Sequence, residues 1–257
     1  MSELALLTTE GRVATLTMNR GEARNSMSLD LLDAMHARLD ELVDSECSVL
    51  VLTGAGKSFC AGMDLKAVVI AVSGDPGLGE KLLTRLAELT LKIRSLPMVT
   101  VASVNGAAIG GGCGLSCVCD VSVSHADAKL GFPEVDLGLC PAVIAPWVVA
   151  KMGAGRARMA MLMGGIMSGT RGHEVGLIDY LADDRDGLEG LTKEIADRLA
   201  SGGPKALAAT KGLLNLIDGT VEGGAGVGMV MKGAKLSAGV LATPEAQAVL
   251  MARMNPS

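Results

Sequence analysis

The feature of this sequence that most restricts its fold is a glycine cluster at residues 106–114, with five glycines among nine residues. The cluster directly follows an apolar run, MVTVASV at 98–104, of the kind that forms a buried strand. Glycine loses more conformational entropy on folding than any other residue, so such a cluster needs a structural reason. The pattern predicts a tight turn from a strand into a helix, at which another group contacts the main chain itself.

Composition limits the class of protein. Of the 257 residues, 49% are apolar and 20% are charged, as in folded globular proteins. The net charge of −5 gives no electrostatic basis for binding nucleic acid or an anionic membrane surface, so neither partner is expected. The first 21 residues lack a basic segment followed by an apolar one, and no window holds 18 uninterrupted apolar residues. We therefore expect a cytoplasmic protein without a signal peptide or a transmembrane helix.

Six cysteines without a secretory signal predict reduced thiols rather than disulfides. Three of them, Cys113, Cys117 and Cys119, lie in or just after the glycine cluster. A metal site would need further ligands, and the three histidines are scattered along the chain. The sequence therefore predicts no metal, with these cysteines serving as small buried residues.

The order of apolar patterns predicts strands first and helices last. Strands are expected at residues 4–8 and 13–18, which form a hairpin, and at 48–53, 98–104 and 120–124. Helices are expected at 29–44 after an N-cap at Ser28, and at 79–94, 115–119, 146–151, 156–163, 187–199, 204–216 and beyond about 220. Strands that alternate with helices favour an α/β core followed by a helical C-terminal part.

Three common motifs fail on spacing. The segment GAGKS at 54–58 looks like the end of a phosphate-binding loop, but the required first glycine would fall at Val51. A dinucleotide fingerprint that starts at Gly110 would need a glycine at Leu115. The segment GLSCV around Ser116 lacks the closing glycine of a nucleophile elbow. Residue order leaves a Ser-His-Asp hydrolase open, although nothing marks out one serine.

Two glycine-bearing turns remain, at residues 58–66 and 108–115, and each is followed by a helical pattern. The free N–H groups at a helix N-terminus point outwards, where the helix dipole also favours negative charge. Two such turns side by side would offer two N–H donors to one oxygen that becomes anionic during a reaction. That arrangement is an oxyanion hole. The alternative is two ordinary tight turns, and spacing alone leaves both open.

Six short motifs, in their order and spacing, together resemble the crotonase (enoyl-CoA hydratase/isomerase) superfamily over nearly the whole chain. They are NRGEARN at 19–25, FCAGMDLK at 59–66, VNGAAIGGGC at 104–113, CD at 119–120, GFPE at 131–134 and GLID at 176–179. The resemblance implies an α/β fold with a crotonase-like ββα spiral core over residues 1–195. It further implies a helical region over 196–257 that forms homotrimers or dimers of trimers (hexamers).

Members of this family bind acyl-CoA thioesters and hold the thioester carbonyl between two backbone N–H groups. By position, the resemblance implies Met63 and Gly111 as these donors. The resemblance also implies a role in fatty acid metabolism. CoA is then part of the thioester substrate, and no separate cofactor is expected. Substrate contacts are expected from a further set of residues: Arg24, Ala61, Gly62, Asp64, Leu65, Lys66, Gly110, Gly114, Leu139 and Cys140. For Arg24 and Lys66 the alternative is ordinary surface charge, and Cys140 is interpreted as a lining residue rather than a nucleophile.

Hydratases of this family place two glutamates at the site. The second corresponds to Glu134, while the first falls at Gly114, which has no side chain. A third acid position, used by dienoyl-CoA isomerase relatives, falls near Ala142 and is also empty. The resemblance therefore implies Glu134 as the catalytic carboxylate, and the alternative is a solvated loop carboxylate. Gly114 could also open room for a bulkier acyl group.

A run of methionines lies at 152–167. These flexible side chains could fill the core or form a flexible wall for an acyl chain.

Two cues about the reaction disagree. One carboxylate is enough to move a proton between C2 and C4, as Δ3,Δ2-enoyl-CoA isomerases of the family do. The run at 134–147 instead resembles a bacterial branch assigned to hydration of methyl-branched enoyl-CoAs, where glycine also occurs at the first acid position. The longer match favours hydration of a 2-enoyl-CoA, with isomerisation as the alternative. A non-catalytic acyl-CoA binder and a CoA-thioester hydrolase on the same scaffold also remain open.

Overall fold

The computed structural model describes residues 3–220 and 223–254 of the chain, without the side chains of residues 71–73 and 76. Its strands are β1 Ala5–Glu10, β2 Val13–Met18, β3 Val49–Gly54, β4 Ser58–Cys60, β5 Val99–Val104, β6 Ala107–Ile109, β7 Val121–His125, β8 Lys129–Gly131, β9 Ile166–Ser168 and β10 Tyr180–Ala182. Its α-helices are α1 Leu29–Asp40, α2 Leu65–Ser73, α3 Pro76–Ser95, α4 Gly111–Val118, α5 Ala145–Met152, α6 Ala154–Met163, α7 Gly169–Glu174, α8 Arg185–Ala200, α9 Pro204–Ile217, α10 Ala225–Leu241 and α11 Pro244–Met254.

The larger sheet has six strands in the order β1-β2-β3-β5-β7-β10. The β1–β2 hairpin is antiparallel, as the sequence predicts, and the remaining pairs are parallel. Side chains of β3 alternate between the two faces: Leu50 and Leu52 join the main core, whereas Val49 and Val51 pack with α8 on the other side. The sheet is therefore covered on both faces, which explains why β3 and β5 are buried along almost their whole length.

The smaller sheet has the order β4-β6-β8-β9. Each of its first three strands follows a strand of the larger sheet after a short turn, so β3–β4, β5–β6 and β7–β8 are successive pairs that supply one strand to each sheet. Helices follow each pair in the chain. This repetition is the ββα spiral that the resemblance implies, and the α/β fold class with a helical C-terminal region is confirmed.

Two helix ends differ from the prediction by four residues. Helix α1 starts after the Ser28 cap, whose Oγ accepts a hydrogen bond from the N–H of Leu31 at 3.3 Å, but it ends at Asp40 rather than 44. The chain there tightens, because the N–H groups of Leu42 and Val43 bond to carbonyl groups only three residues earlier. Helix α4 starts inside the glycine cluster, at Gly111, four residues before the predicted start.

The C-terminal helices pack on the spiral. Helix α8 covers one face of the larger sheet, and the predicted domain boundary at 195/196 falls inside this helix. The division into two domains and the oligomeric role of the second remain predictions. Helix α10 lies against α3 and α5, and α11 lies against α2. Within residues 3–220 and 223–254, none of the helices has the length and apolar character needed to cross a membrane.

Candidate active site

A cavity of about 180 Å³ lies where the two glycine-bearing turns meet the loop after β8. It brings together Met63, Gly111 and Glu134, the three residues that the resemblance assigns to chemistry. Six of the ten further predicted contacts also line it: Ala61, Gly62, Leu65, Gly110, Leu139 and Cys140. A larger cleft of about 1090 Å³ lies between the β1–β2 hairpin and α8, but it contains none of the predicted site residues.

The first turn presents the backbone of Met63. Met27 bonds to the residues on both sides of Met63. The Met27 N–H donates to the carbonyl of Gly62 at 2.8 Å, and the Met27 carbonyl accepts from the N–H of Asp64 at 3.0 Å. Gly62 has a φ of +88°, and a Cβ there would lie 2.8 Å from the carbonyl oxygen of Ile109. Among the described residues the N–H of Met63 has no hydrogen-bond partner. The turn therefore leaves one N–H group free beside the cavity.

The second turn presents the N-terminus of α4. Gly110 has a φ of +54°, and its N–H donates to the carbonyl of Gly131 at 2.8 Å, which ties the turn to β8. Gly111 is the first residue of the helix, and its N–H also lacks a partner in the described part of the chain. The position of a Cβ on Gly62 would be 3.9 Å from the nitrogen of Gly111, so the two turns are neighbours.

Glu134 lies beside the second of these turns. The chain leaves β8, and the Glu134 carbonyl accepts hydrogen bonds from the N–H groups of Leu137 at 3.0 Å and Leu139 at 2.8 Å, which fixes the loop. Its Oε1 would be 2.5 Å from a Cβ on Gly110, so the carboxyl group lies directly over the second turn. Its Oε2 is buried and has no hydrogen-bond partner among the described residues. Burial raises the pKa of Glu134 to about 7, which populates both the acid and its conjugate base near neutral pH.

The side chain of Ile144 fills the space beside Gly114. A Cβ on Gly114 would lie 2.2 Å from Cγ2 of Ile144, and Ile144 itself lines the cavity. Gly114 is buried and lies outside the cavity lining. The glycine therefore opens no room for an acyl group, because Ile144, the N-cap of α5, already occupies that room.

The sequence matches a known family over most of its length. The profile of the enoyl-CoA hydratase/isomerase family aligns with residues 8–217. The chain belongs to this family. The resemblance to the crotonase superfamily is thereby confirmed.

Individual relatives of the family carry both hydratase and isomerase names. The chain is 36% identical over 205 residues to enoyl-CoA hydratase ACTT6 of Alternaria alternata, an alignment that covers 76% of this chain and only 64% of that protein. It is 34% identical over 223 residues to 1,2-epoxyphenylacetyl-CoA isomerase of Escherichia coli (strain K12), which covers 84% of this chain and 83% of that one. The crystal structure of an enoyl-CoA hydratase/isomerase from Xanthobacter autotrophicus Py2 superposes with a TM-score of 0.87 at 25% identity, covering 99% of this chain and 94% of the other.

Within this enoyl-CoA hydratase/isomerase scaffold, three predicted polar contacts lie outside the cavity lining: Arg24, Asp64 and Lys66. Burial raises the pKa of Asp64, but hydrogen bonds from Arg20 and from the N–H groups of Ala67 and Lys66 outweigh it, and the net pKa is below its usual value. The Asp64 carboxylate is thus already engaged within the protein. CoA contacts by Arg24 and Lys66 remain predictions.

Helix α10 contributes two lining residues that sequence reasoning missed, Ser237 and Leu241. The Ser237 hydroxyl donates to the carbonyl of Cys140 at 2.6 Å and accepts from the N–H of Ala142 at 3.1 Å. These bonds tie α10 to the loop that carries Glu134. Burial raises the pKa of the Cys140 thiol, in keeping with a lining role. No local sequence signal links residues almost 100 positions apart.

The methionine run lies away from the site. Met152 is buried in the main core, and Met161 and Met167 pack against it, whereas Met159 and Met163 are exposed. None of the five lines the cavity, so the interpretation as a flexible acyl wall is wrong, and the core interpretation holds for three of them. Cys113, Cys117 and Cys119 are all buried, as predicted. Residues 3–220 and 223–254 contain no group of three or more metal-ligating side chains, and the absence of a metal remains a prediction.

Proposed function

We propose that this protein is an acyl-CoA-processing enzyme that hydrates a 2-enoyl-CoA, with Glu134 as the acid and base. The observation that carries the proposal is that Glu134, Met63 and Gly111 line one cavity, and that the N–H groups of Met63 and Gly111 have no hydrogen-bond partner among the described residues. The cavity is otherwise mostly apolar, as a site for an acyl chain should be. Membership of the enoyl-CoA hydratase/isomerase family gives independent support.

The two N–H groups would bind the thioester carbonyl oxygen. Hydrogen bonds to this oxygen draw electron density from the acyl group, make C3 of a 2-enoyl chain electrophilic, and stabilise the enolate that forms. Donors that are held in place before the reaction are effective because they need no reorganisation, and loss of one typically costs about 3 kcal/mol of barrier. The glycines of both turns let the oxygen approach the main chain closely.

Glu134 would move the proton. In its ionised form it takes a proton from a water molecule while the water oxygen bonds to C3, and the C2–C3 double-bond electrons pass to the thioester as an enolate. The protonated Glu134 then returns the proton to C2, which restores the thioester carbonyl and leaves a 3-hydroxyacyl-CoA. A pKa of about 7 suits a group that must act first as base and then as acid.

A second candidate is enoyl-CoA isomerisation. Glu134 is the single carboxylate in the lining of this cavity among the described residues, and the position of a second is filled by Ile144. One carboxylate can take a proton from C2 of a 3-enoyl-CoA and deliver it to C4, with no water needed. The resemblance of residues 134–147 to a hydrating branch favours hydration, and the isomerase name of one relative keeps this alternative in view.

Expectations about cofactor, location, metabolic role and oligomeric state belong to the same proposal. CoA would enter only as part of the substrate, with no other cofactor, and the protein would act in the cytoplasm in fatty acid metabolism. A homotrimer or dimer of trimers would bury apolar side chains that are exposed on α6 and α9: Met159, Leu162, Met163, Leu213, Leu214, Leu216 and Ile217.

Separate incubation with a 2-enoyl-CoA and a 3-enoyl-CoA, followed by mass spectrometry and proton NMR, tests the proposal. Gain of one water by the 2-enoyl-CoA is the expected result. Unchanged mass with a moved double bond would instead identify an isomerase, and release of free CoA a thioester hydrolase. Tight binding of both compounds without any turnover would contradict an enzymatic role and support an acyl-CoA binder.

A further inference from the structure

Met27 and Met63 pair as an isolated parallel β-bridge, and one side-chain nitrogen of Arg20 bonds to the residues next to both of them. Nη1 of Arg20 donates to Oδ2 of Asp64 at 2.6 Å, to the carbonyl of Ser26 at 3.1 Å and to Oγ of Ser26 at 3.2 Å. Ser26 directly precedes Met27, and Asp64 directly follows Met63. The arginine side chain is 25% exposed and the aspartate 13%, so the pair is sheltered from solvent. Arg20 therefore holds both partners of the bridge from one side.

Arg20 is itself fixed by the fully buried Asn25. The Arg20 N–H donates to Oδ1 of Asn25 at 2.9 Å, while Nδ2 of Asn25 donates to the carbonyl groups of Ala55 at 3.0 Å and Ser58 at 2.8 Å. Asn25 has a φ of +54°, an unusual value for a residue other than glycine. These contacts anchor the turn at 20–25 to the loop after β3 and to the first residue of β4.

Asp64 passes this restraint to Met63. Its Oδ1 accepts from the N–H groups of Lys66 at 3.0 Å and Ala67 at 3.4 Å and so caps α2, while its own N–H donates to Met27. The residue after Met63 is thus held by its backbone, by its side chain and by the start of a helix. On the other side, a Cβ on Gly111 would meet Cε of Met27 at 2.6 Å, so Met27 contacts both turns.

We propose that Arg20 is a positioning residue for the Met63 N–H. Through Asp64 and Ser26 it fixes the direction of this N–H group into the cavity, without contacting the substrate. The inference rests on the proposed function, because it assigns the Met63 N–H to the thioester oxygen. A donor must be aligned before the reaction to stabilise the enolate, and a displacement of about 1 Å at a reacting centre can cost about 100-fold in rate.

The experiment compares the full-length wild type with Arg20→Gln and Arg20→Lys. Steady-state kinetics with the converted enoyl-CoA gives kcat and KM. Infrared difference spectra of bound butanoyl-CoA, ¹³C-labelled at the thioester carbonyl and unable to react, report how strongly the protein polarises that carbonyl. Arg20→Gln should lower kcat by about 10- to 100-fold with KM within about twofold, and should bring the carbonyl band closer to that of free butanoyl-CoA. Arg20→Lys should recover much of both, because its ammonium can donate to the same three acceptors.

Arg94→Gln is the matched control, since Arg94 is also sheltered and pairs with Asp218 at 2.6 Å, between α3 and α9 and away from the cavity. It should leave kcat and the carbonyl band unchanged. An unaltered kcat and band in Arg20→Gln, or equal losses in Arg94→Gln, would overturn the role of Arg20. If the wild type itself fails to shift the carbonyl band, the proposed function fails, and the role of Arg20 fails with it.

Discussion

The side chain of Ile144 occupies the space into which a side chain at Gly114 would project, with Cγ2 of Ile144 only 2.2 Å from the position of a Cβ on Gly114. The two residues come from different elements, since Gly114 belongs to α4 and Ile144 is the N-cap of α5. Their packing excludes a second carboxylate at this position. The cavity therefore has a mostly apolar lining, in which Glu134 is the one carboxylate contributed by the described residues.

Gly114→Ala should destabilise the protein by about 1–3 kcal/mol, because the added methyl group overpacks against Ile144. In the background of Ile144→Ala, which removes Cγ2, the same substitution should cost less. Urea denaturation of the wild type, the two single variants and the double variant measures the difference in cost between the two backgrounds. Gly155→Ala is the matched control, since a Cβ on this exposed helical glycine would have no neighbour within 4 Å in the described part of the chain. Equal cost of Gly114→Ala in both backgrounds would contradict the contact.

Glu134→Gln should lower kcat about 100-fold or more while the Kd for acyl-CoA stays close to that of the wild type. The amide keeps the shape of the side chain but cannot carry a proton between water and C2. Stopped-flow turnover and calorimetric binding measure the two quantities. Glu194→Gln, an exposed change on α8, should alter neither. Retention of most of the rate in Glu134→Gln would exclude this residue as the proton carrier.

The same carboxyl group predicts a dependence of stability on pH. Burial raises the pKa of folded Glu134 from 4.5 to about 7. The contribution of this carboxyl group to the free energy of unfolding is therefore fully present below pH 4.5 and is lost as pH rises through 7. Relative to Glu134→Gln, the unfolding free energy of the wild type should fall by about 2.5 kcal/mol between pH 5 and pH 8.5. Denaturation of both proteins at the two pH values measures this difference. A constant difference would mean that the carboxyl group has an ordinary, solvated pKa.

The pH profile of hydration should depend on the ionised form of Glu134, whereas the contribution to stability depends on its protonated form. The base must be ionised in the free enzyme, so kcat/KM should rise with pH and level off above an apparent pKa of about 7. Initial rates between pH 5 and pH 9 give the profile. A rise centred near pH 4.5 would contradict the burial of this group.

Gly110→Ala should reduce kcat at least tenfold, because its Cβ would lie 2.5 Å from Oε1 of Glu134 and would displace the carboxyl group. The substitution also carries backbone strain, since Gly110 has a positive φ. Gly153→Ala separates the two effects: Gly153 has a φ of +77° as well, but no atom of the described residues lies within 4 Å of the added methyl group. That control should lose stability and keep its kcat. Comparable losses of kcat in both would show that strain alone is responsible.

The sequence predicts the five long strands β1, β2, β3, β5 and β7, because each is an apolar or alternating run with a clear period. It misses the smaller sheet, whose strands β4, β6, β8 and β9 have only three residues each. A period of two cannot be recognised in three residues, and their pairing depends on partners far along the chain. The spiral could therefore be predicted only through the resemblance to a family.

The glycine cluster shows the same division. Its density predicts a turn into a helix that contacts main chain, and the structure places carbonyl oxygens 2.1 Å from where a Cβ would lie on Gly106 and on Gly112. The contacts of Ile144, Ser237 and Arg20 had no local signal. Each involves a side chain that packs against an element distant in sequence, so only the folded chain brings them to the site.

The most direct measurement is a crystal structure of the Glu134→Gln variant with a 2-enoyl-CoA bound. We predict the thioester oxygen about 2.7–3.1 Å from both the Met63 and the Gly111 nitrogen, with the side chain of residue 134 beside the C2–C3 bond. A thioester oxygen that contacts neither nitrogen, or an acyl group bound outside this cavity, would contradict the account.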